Sequence, residues 1–310
     1  MSLIICGDLH FREEQPFYNI AVKFIDWLSK QFNENDSLLL LGDVFDKSKP
    51  SALEYHLAIE SFSKKLKFKK IYIIHGNHTW SRKYGSALEP LKLYKNIEII
   101  YQPTILEIEN KKCICLPFYP YSYKEEDKTI IQMKERYEKI HLEEGFDKAD
   151  YIFAHLFYKE FFGDFIDISN IKGKLVCGHY HVQEENYLGT PFPQSYTEKD
   201  QIGHLLKIDD DKEEYIDVPK FLEYRDMKYG EKVSHLKEVE YIYTIKNAPS
   251  FKEAYSKYPN LHIRRIELES KEDESVHYES LDKVKSVREH LVDFLNEKKI
   301  KKSIGDILFS

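Results

Sequence analysis

Asp8 and His10 stand one residue apart. Where a chain leaves a β-strand, that alternation can turn a carboxylate and an imidazole toward one cation, the first supplying charge and the second a neutral nitrogen donor. Four more groups of similar type follow: Gly42-Asp43-Val44-Phe45-Asp46, Gly76-Asn77-His78, His155, and Gly178-His179-Tyr180-His181. Asp43 has two oxygens with which to bridge two cations, and Asn77 adds a neutral oxygen that does not overcharge the site. His155 and His179 complete one shell and His181 the other. Two divalent cations roughly 3.5 to 4 Å apart can grip a phosphate, acidify a water and stabilise in-line displacement at phosphorus, so no side-chain nucleophile is needed. His78, directly after a ligand, is placed to contact the phosphate or protonate the departing oxygen. Asp46 could accept a proton from His78 and keep its ring oriented.

A single histidine at a strand end is ordinarily a hydrogen-bonded structural residue, but five such motifs in chain order supply seven ligands, and coincidence does not produce that readily. The elements that must position them are legible as apolar runs. Residues 3–6, 37–41, 71–74, 151–154 and 175–177 read as strands, and each stops at one of the motifs. Sites in α/β sheets form beyond the carboxyl ends of strands, where loops converge. Gly7, Gly42, Gly76 and Gly178 each precede a ligand-type residue, where the missing side chain permits a sharp turn and close approach. Residues 16–32, 51–66 and 125–144 read as helices. Residues 97–100, 104–108 and 113–116 read as strands, the last two joined by a turn at 109–112, which predicts an α/β fold with mixed sheets. A second hairpin, 205–208 with 214–218, closes this domain. Strand, helix and strand at 239–245, 250–257 and 261–268 then predict a β-α-β appendage. After a charged linker at 269–274, residues 281–296 and 300–309 carry helical apolar spacing. The expected organisation is a domain carrying the ligand motifs at 1–218, the small appendage at 219–270 and a helical segment at 271–310.

Hydrophobic residues at 42% and aromatics at 14% allow a substantial core in 310 residues. No apolar run approaches the roughly 20 residues that cross a bilayer, and the first residues lack a signal-peptide pattern, so a cytoplasmic location is expected. Cys6, Cys113, Cys115 and Cys177 sit in strand-like apolar segments, where buried reduced thiols behave as small hydrophobes; Cys113-x-Cys115 without a second pair is weak as a metal motif. A formal charge of −7 does not advertise a nucleic-acid partner, although bound cations would reverse the local sign in the cleft.

Gly7-Asp8-x-His10, Gly42-Asp43-x-x-Asp46, Gly76-Asn77-His78, His155 and Gly178-His179-x-His181 resemble the metallophosphoesterase (calcineurin-like) signature, over about two thirds of the chain. The resemblance implies a sandwich of mixed β-sheets flanked by helices. Within that superfamily, Gly189-Thr190-Pro191-Phe192-Pro193-Gln194-Ser195-Tyr196 is similar to the matching segment of SbcD-type DNA nucleases, and the chain most resembles bacteriophage recombination endonuclease subunits. That narrower likeness implies a capping domain and a tail that docks on an SMC-like coiled-coil ATPase, a homodimer, and DNA as substrate. It also implies one Mn²⁺ held by Asp8, His10, Asp43 and His181, a second held by Asp43, Asn77, His155 and His179, and His78 as the catalytic phosphate contact. Lys47 and Thr79 stand where protein phosphatases of the superfamily carry Arg and Glu, and Asp46 stands where purple acid phosphatases carry a tyrosine ligand, so both subfamilies are disfavoured.

The leading expectation is thus a Mn²⁺-dependent DNA exonuclease and endonuclease subunit for recombination, repair or end processing. The apolar face of the tail would either bind the ATPase or pack back on the core. The runner-up is a small-molecule phosphodiesterase or phosphatase, favoured by the acidic charge. Lys64-Lys65-x-Lys67-x-Lys69-Lys70 and Lys298-Lys299-x-Lys301-Lys302 are local basic clusters, though such runs are usually solvated faces. A non-catalytic scaffold is the third class, and the complete ligand set argues against it. Mn²⁺, Fe²⁺ and Zn²⁺ all accept these donors, so the metal itself is left open.

Overall fold

Continuous apolar runs such as Leu3-Ile4-Ile5-Cys6 and Leu38-Leu39-Leu40-Leu41 are what strands buried on both faces require. The computed structural model describes residues 1–81, 85–118, 129–158, 165–210 and 212–269, and there these runs form the centres of two sheets. In chain order the strands are β1 (Ser2–Cys6), β2 (Ser37–Leu40), β3 (Lys70–Ile74), β4 (Trp80–Ser81), β5 (Gly85–Ser86), β6 (Ile97–Ile100), β7 (Thr104–Ile108), β8 (Lys111–Leu116), β9 (Lys148–His155), β10 (Lys172–Gly178), β11 (His204–Asp209), β12 (Lys212–Asp217), β13 (Leu222–Lys228), β14 (Glu240–Ala248) and β15 (His262–Leu268). The α-helices are α1 (Phe17–Gln31), α2 (Ala52–Glu60), α3 (Thr129–Lys139) and α4 (Phe251–Lys257).

One sheet has the order β12-β11-β1-β2-β3-β6 and the other β10-β9-β8-β7. In the first, β1, β2, β3 and β6 run parallel, with the β11–β12 hairpin added antiparallel. In the second, β8, β9 and β10 run parallel and β7 antiparallel. The expected mixed α/β sandwich is the observed architecture.

Alternation along the strands sorts the core into layers. Leu3 and Ile5 of β1 face Cys113, Cys115 and Phe153 of the other sheet in the sandwich interior, while Ile4 and Cys6 join the helical stripe Ile20, Phe24, Ile25 and Leu28 of α1. On the far side, Ile114, Leu116, Ile152, Ala154 and Cys177 pack with Tyr137 and Ile140 in and just after α3. Each of the larger apolar side chains contributes about 1.5 to 3 kcal/mol on burial. The four cysteines are free and buried, Cys6 on the α1 side, Cys113 and Cys115 between the sheets, and Cys177 on the α3 side.

Glu109 and Asn110 join β7 to β8, both with positive φ (45° and 61°), as a two-residue mirror-image turn demands. Helix α2 starts at a complete capping box between Ser51 and Glu54. The 239–268 region forms the expected strand, helix and strand as β14, α4 and β15, paired parallel. A third parallel strand, β13, adds to β14; its sequence Leu-Glu-Tyr-Arg-Asp-Met-Lys carries too little apolar alternation to be read as a strand beforehand. This three-stranded cap is fastened to the α1 side of the sandwich by Leu222 and Ile242, which join that core, and by Lys23–Glu240 at 2.7 Å. Met1–Leu268 form one compact unit. The expected helices at 281–296 and 300–309 lie outside the described residues, as does most of the 269–274 linker.

Candidate metal centre

β1, β2, β3, β9 and β10 all end where a polar motif begins, and because these strands run parallel within each sheet, their ends gather at one edge of the sandwich. Three of the side chains delivered there sit in left-handed backbone: His10 (φ 44°), Asp43 (φ 36°) and His179 (φ 77°). Non-glycine residues in that region are strained, and such strain concentrates at functional sites. Two glycines show how tight the turns are. A Cβ on Gly42 (φ 130°) would overlap the His155 ring, and one on Gly76 would overlap the Asp43 carboxylate.

The donor atoms fall into overlapping groups. Asp8, His10 and His181 converge within 4.8 Å; so do Asp43, His155 and His179, and so do His10, Asp43 and His78. His155 Nδ1 donates to the Leu41 carbonyl at 2.8 Å, which leaves Nε2 facing Asp43 Oδ2 at 3.1 Å and Asn77 Oδ1 at 2.9 Å. His10 Nε2 and His181 Nε2 face each other at 3.1 Å. Main-chain N–H groups fix the carboxylates: His179 N donates to Asp8 Oδ2 at 2.8 Å and His78 N to Asp43 Oδ1 at 2.9 Å. The structure thus brings all seven expected metal ligands, Asp8, His10, Asp43, Asn77, His155, His179 and His181, into one pocket.

The electrostatics of the pocket call for positive charge. Asp8 and Asp43 are 1% and 2% exposed, and Asp8 Oδ1 is buried with no hydrogen-bond partner. Burial alone would raise both carboxyls, but the neighbouring His155 overrides it and both are held below the usual range. Burial alone would lower His155, yet Asp43 and Asp8 push it up to about 10. His179, by contrast, is lowered to about 3 by burial and by its proximity to His155, a neutral donor under ordinary conditions. Two buried carboxylates, an amide oxygen and four imidazoles with nitrogens aimed inward suit a pair of divalent cations. When bound there, such cations would supply Lewis acidity toward a phosphate ester and toward water.

His78 lies at the exposed rim, its ring 4.8 Å from that of His10 and edge-on to it. Its Nδ1 donates to the main-chain carbonyl of Asp46 at 2.6 Å, which leaves Nε2 to face a leaving oxygen and, when the ring is an imidazolium, to pass it a proton. This corrects the expected role of Asp46, whose carboxylate does not hold His78. That carboxylate turns instead to Arg12 Nε at 3.0 Å and His10 Nδ1 at 3.5 Å, because a strong guanidinium partner lies on that side. Arg12 and Glu198 were missed in sequence. Arg12 continues the alternation Asp8, His10, Arg12, which was its signal; Glu198, 3.2 Å from His181 Nδ1, follows the 189–196 segment by two residues and had none of its own. His75, in the same motif as Asn77, is structural: buried, bonded to the Phe118 carbonyl and Ser86, and lowered to about 4 by burial.

Four of the five lysines in the basic cluster near β3 pair with carboxylates. Lys64 pairs with Glu60, Lys65 with Asp26 at 2.6 Å, Lys69 with Glu109 at 3.0 Å and Lys70 with Glu98 at 3.0 Å. A different surface lies beside the metal pocket. Arg12, Tyr196, Tyr224, Tyr255, His262 and Arg264 line an open groove of about 580 Å³ between the site and the cap. Arg264 lies over the Tyr196 ring at 3.5 Å, and Tyr196 meets Tyr224 edge-on at 5.4 Å. No helix among the described residues is long and apolar enough to cross a membrane.

Among curated proteins the chain is similar to UDP-2,3-diacylglucosamine hydrolases. That of Shewanella halifaxensis is 30% identical over 118 residues, 34% of this chain and 47% of that protein. That of Hamiltonella defensa is 36% identical over 81 residues, 25% of this chain and 31% of that one. The chain therefore spans less than half the length of these relatives. A solved structure of a protein of unknown function from Aquifex aeolicus aligns with 56% of this chain and 87% of its own, at 18% identity and a TM-score of 0.34. The Metallophos family, calcineurin-like phosphoesterase, matches residues 1–233, three quarters of the chain and every strand end that feeds the pocket; the chain belongs to that family.

Proposed function

We propose that this chain is a two-metal phosphodiesterase that cleaves a polynucleotide, with Mn²⁺ as the working cation. The observation that carries the substrate reading is the groove that shares Arg12 with the surroundings of the pocket, and which Tyr196, Tyr224, Tyr255 and Arg264 also line. Aromatic rings that stack bases and guanidinium groups that meet phosphates are what single-stranded nucleic acid asks of a protein. In this reading the seven ligands hold the cations, His78 protonates the departing oxygen through Nε2, and Asp46 and Arg12 hold His10 in place. The segment 271–310 would dock on an SMC-like ATPase, and the chain would act as a homodimer in DNA end processing.

A second reading has its own support. The curated relatives carry a small nucleotide-linked substrate in their names, which favours a small-molecule phosphoesterase over a nuclease. The similarity covers 25 to 34% of this chain in those two cases.

Purified protein with Mn²⁺, alone and with a candidate ATPase, should be given linear DNA, a small nucleotide diester and UDP-2,3-diacylglucosamine side by side. Release of nucleotides from DNA, abolished by chelator and reduced about 10²- to 10⁴-fold by His78→Ala, is the expected result. Turnover of a nucleotide-linked small molecule with DNA left intact would establish the second reading in place of the first.

A further inference from the structure

We propose that Glu198 is the positioning carboxylate for His181: it fixes the tautomer and direction of that imidazole so that one of the two cation sites is complete. The inference rests on the reading of Asp8, His10 and His181 as cation ligands.

Glu198 is 7% exposed, and its Oε1 lies 3.2 Å from His181 Nδ1. A carboxylate at Nδ1 holds the ring hydrogen on that nitrogen, so the lone pair of a neutral ring is left on Nε2. That Nε2 faces His10 Nε2 at 3.1 Å. His10 Nδ1 has only a looser neighbour, Asp46 Oδ1 at 3.5 Å, outside hydrogen-bond geometry. The two imidazoles turn their Nε2 atoms to one point beside Asp8, and that of His181 is directed there by a hydrogen-bonded carboxylate. Histidines that bind metals characteristically pass their second N–H to such a partner, which orients the ring and strengthens it as a donor.

The main chain reinforces this placement. Past His181 the chain doubles back at Gly189 (φ 77°), where a Cβ would press on the His181 carbonyl, and Thr190 N then donates to that carbonyl at 3.0 Å. Gln194 Nε2 reaches the Leu9 carbonyl at 3.4 Å, and Arg12 Nη1 donates to the Gln194 carbonyl at 3.3 Å. The 189–198 segment thus ties the His181 ligand to the Asp8–His10 loop. Glu198 also accepts from Gln194 N at 2.7 Å and Ser195 Oγ at 2.9 Å, so a purely local role in shaping its own turn is the competing explanation.

The test is Mn²⁺ uptake by the full chain, followed by calorimetry and electron paramagnetic resonance, for wild type, Glu198→Ala, Glu198→Gln and Ser195→Ala. The wild type should bind two Mn²⁺ per chain. Glu198→Ala should weaken one of the two by about 10- to 100-fold and leave the other unchanged. Glu198→Gln, whose amide oxygen can still accept from Nδ1–H, should fall between. Ser195→Ala, which disturbs the turn but not the His181 contact, should keep both. Should Glu198→Ala fail to fold, Glu198→Gln and the ¹⁵N signature of the His181 tautomer decide the matter. Wild-type affinity at both sites in the folded Glu198 variants, or equal losses in Ser195→Ala, would overturn the inference alone. A wild type that takes up fewer than two Mn²⁺ would overturn the two-metal reading and this inference with it.

Discussion

His155 sets the charge balance of the pocket. Burial opposes its protonation, but Asp43 and Asp8 raise it from 6.5 to about 10. A histidine raised in the folded state stabilises fully below its unfolded value and loses that contribution as pH climbs through the folded one. Metal-free protein in chelator should therefore melt at falling temperature between pH 7 and 10; a melting point flat across that range would contradict the pairing. Cation binding must displace the same proton, so calorimetry at pH 7 in buffers of different ionisation enthalpy should register about one proton released. His75 has the opposite sign. Burial lowers it to about 4, so between pH 6.5 and 4 the unfolded chain takes up a proton that the folded chain resists, and stability falls. In His75→Gln that acid slope should be shallower. The convergence of the nine site residues was legible because every motif ends an apolar run. What was not legible is which atom meets which. One carbonyl takes His78 and one guanidinium takes the Asp46 carboxylate, and neither choice leaves a trace in residue order.

Elements place these groups by their ends, so their terminal residues carry consequences out of proportion to their size. Gly42 follows β2 closely and lies against the His155 ring at a φ of 130°. Gly42→Ala should cost about 2 to 4 kcal/mol in denaturant unfolding and lower cation affinity, and unchanged binding would show that the turn can relax. At the start of α2, Glu54 is buried and accepts main-chain hydrogen bonds from Ser51 at 2.7 Å and from Glu13 at 3.1 Å. Ser51→Ala should cost about 1 kcal/mol as a lost cap. Glu54→Ala should cost more in the same measurement, since it leaves two donors without their acceptor. Most strands and α1 could be read from periodicity, whereas the helix expected at 51–66 is α-helical only over Ala52–Glu60 and continues as a π-helical turn, Ser61–Lys65. β13 could not be read, because a strand held by pairing with β14 along one edge needs little apolar alternation.

At the scale of the molecule, the candidate cation ligands and the far wall of the groove belong to different sheets. The first 178 residues supply five of the seven ligands and β10 leads to the other two, His179 and His181, while Arg264 lies on β15 of the cap. If the groove reads a polynucleotide, Arg264→Ala should raise KM for single-stranded DNA by about tenfold, in line with the loss of one stacked or phosphate contact, while kcat changes little; a fall in kcat with unchanged KM would place Arg264 in the chemistry instead. The sandwich and the cap's β-α-β unit were legible from the order of apolar runs, whereas the docking of the cap on α1 was not, since it depends on single contacts such as Leu222 and Lys23–Glu240. The distribution of the thiols has a further use. Each packed layer of the sandwich holds at least one cysteine, and burial pushes all four thiols upward, away from the reactive thiolate. Alkylation of the native protein can then proceed only through opening of the layer concerned. The order in which Cys177, Cys6 and the Cys113–Cys115 pair become labelled would give the sequence in which the outer and inner layers come apart, with no probe introduced into the chain.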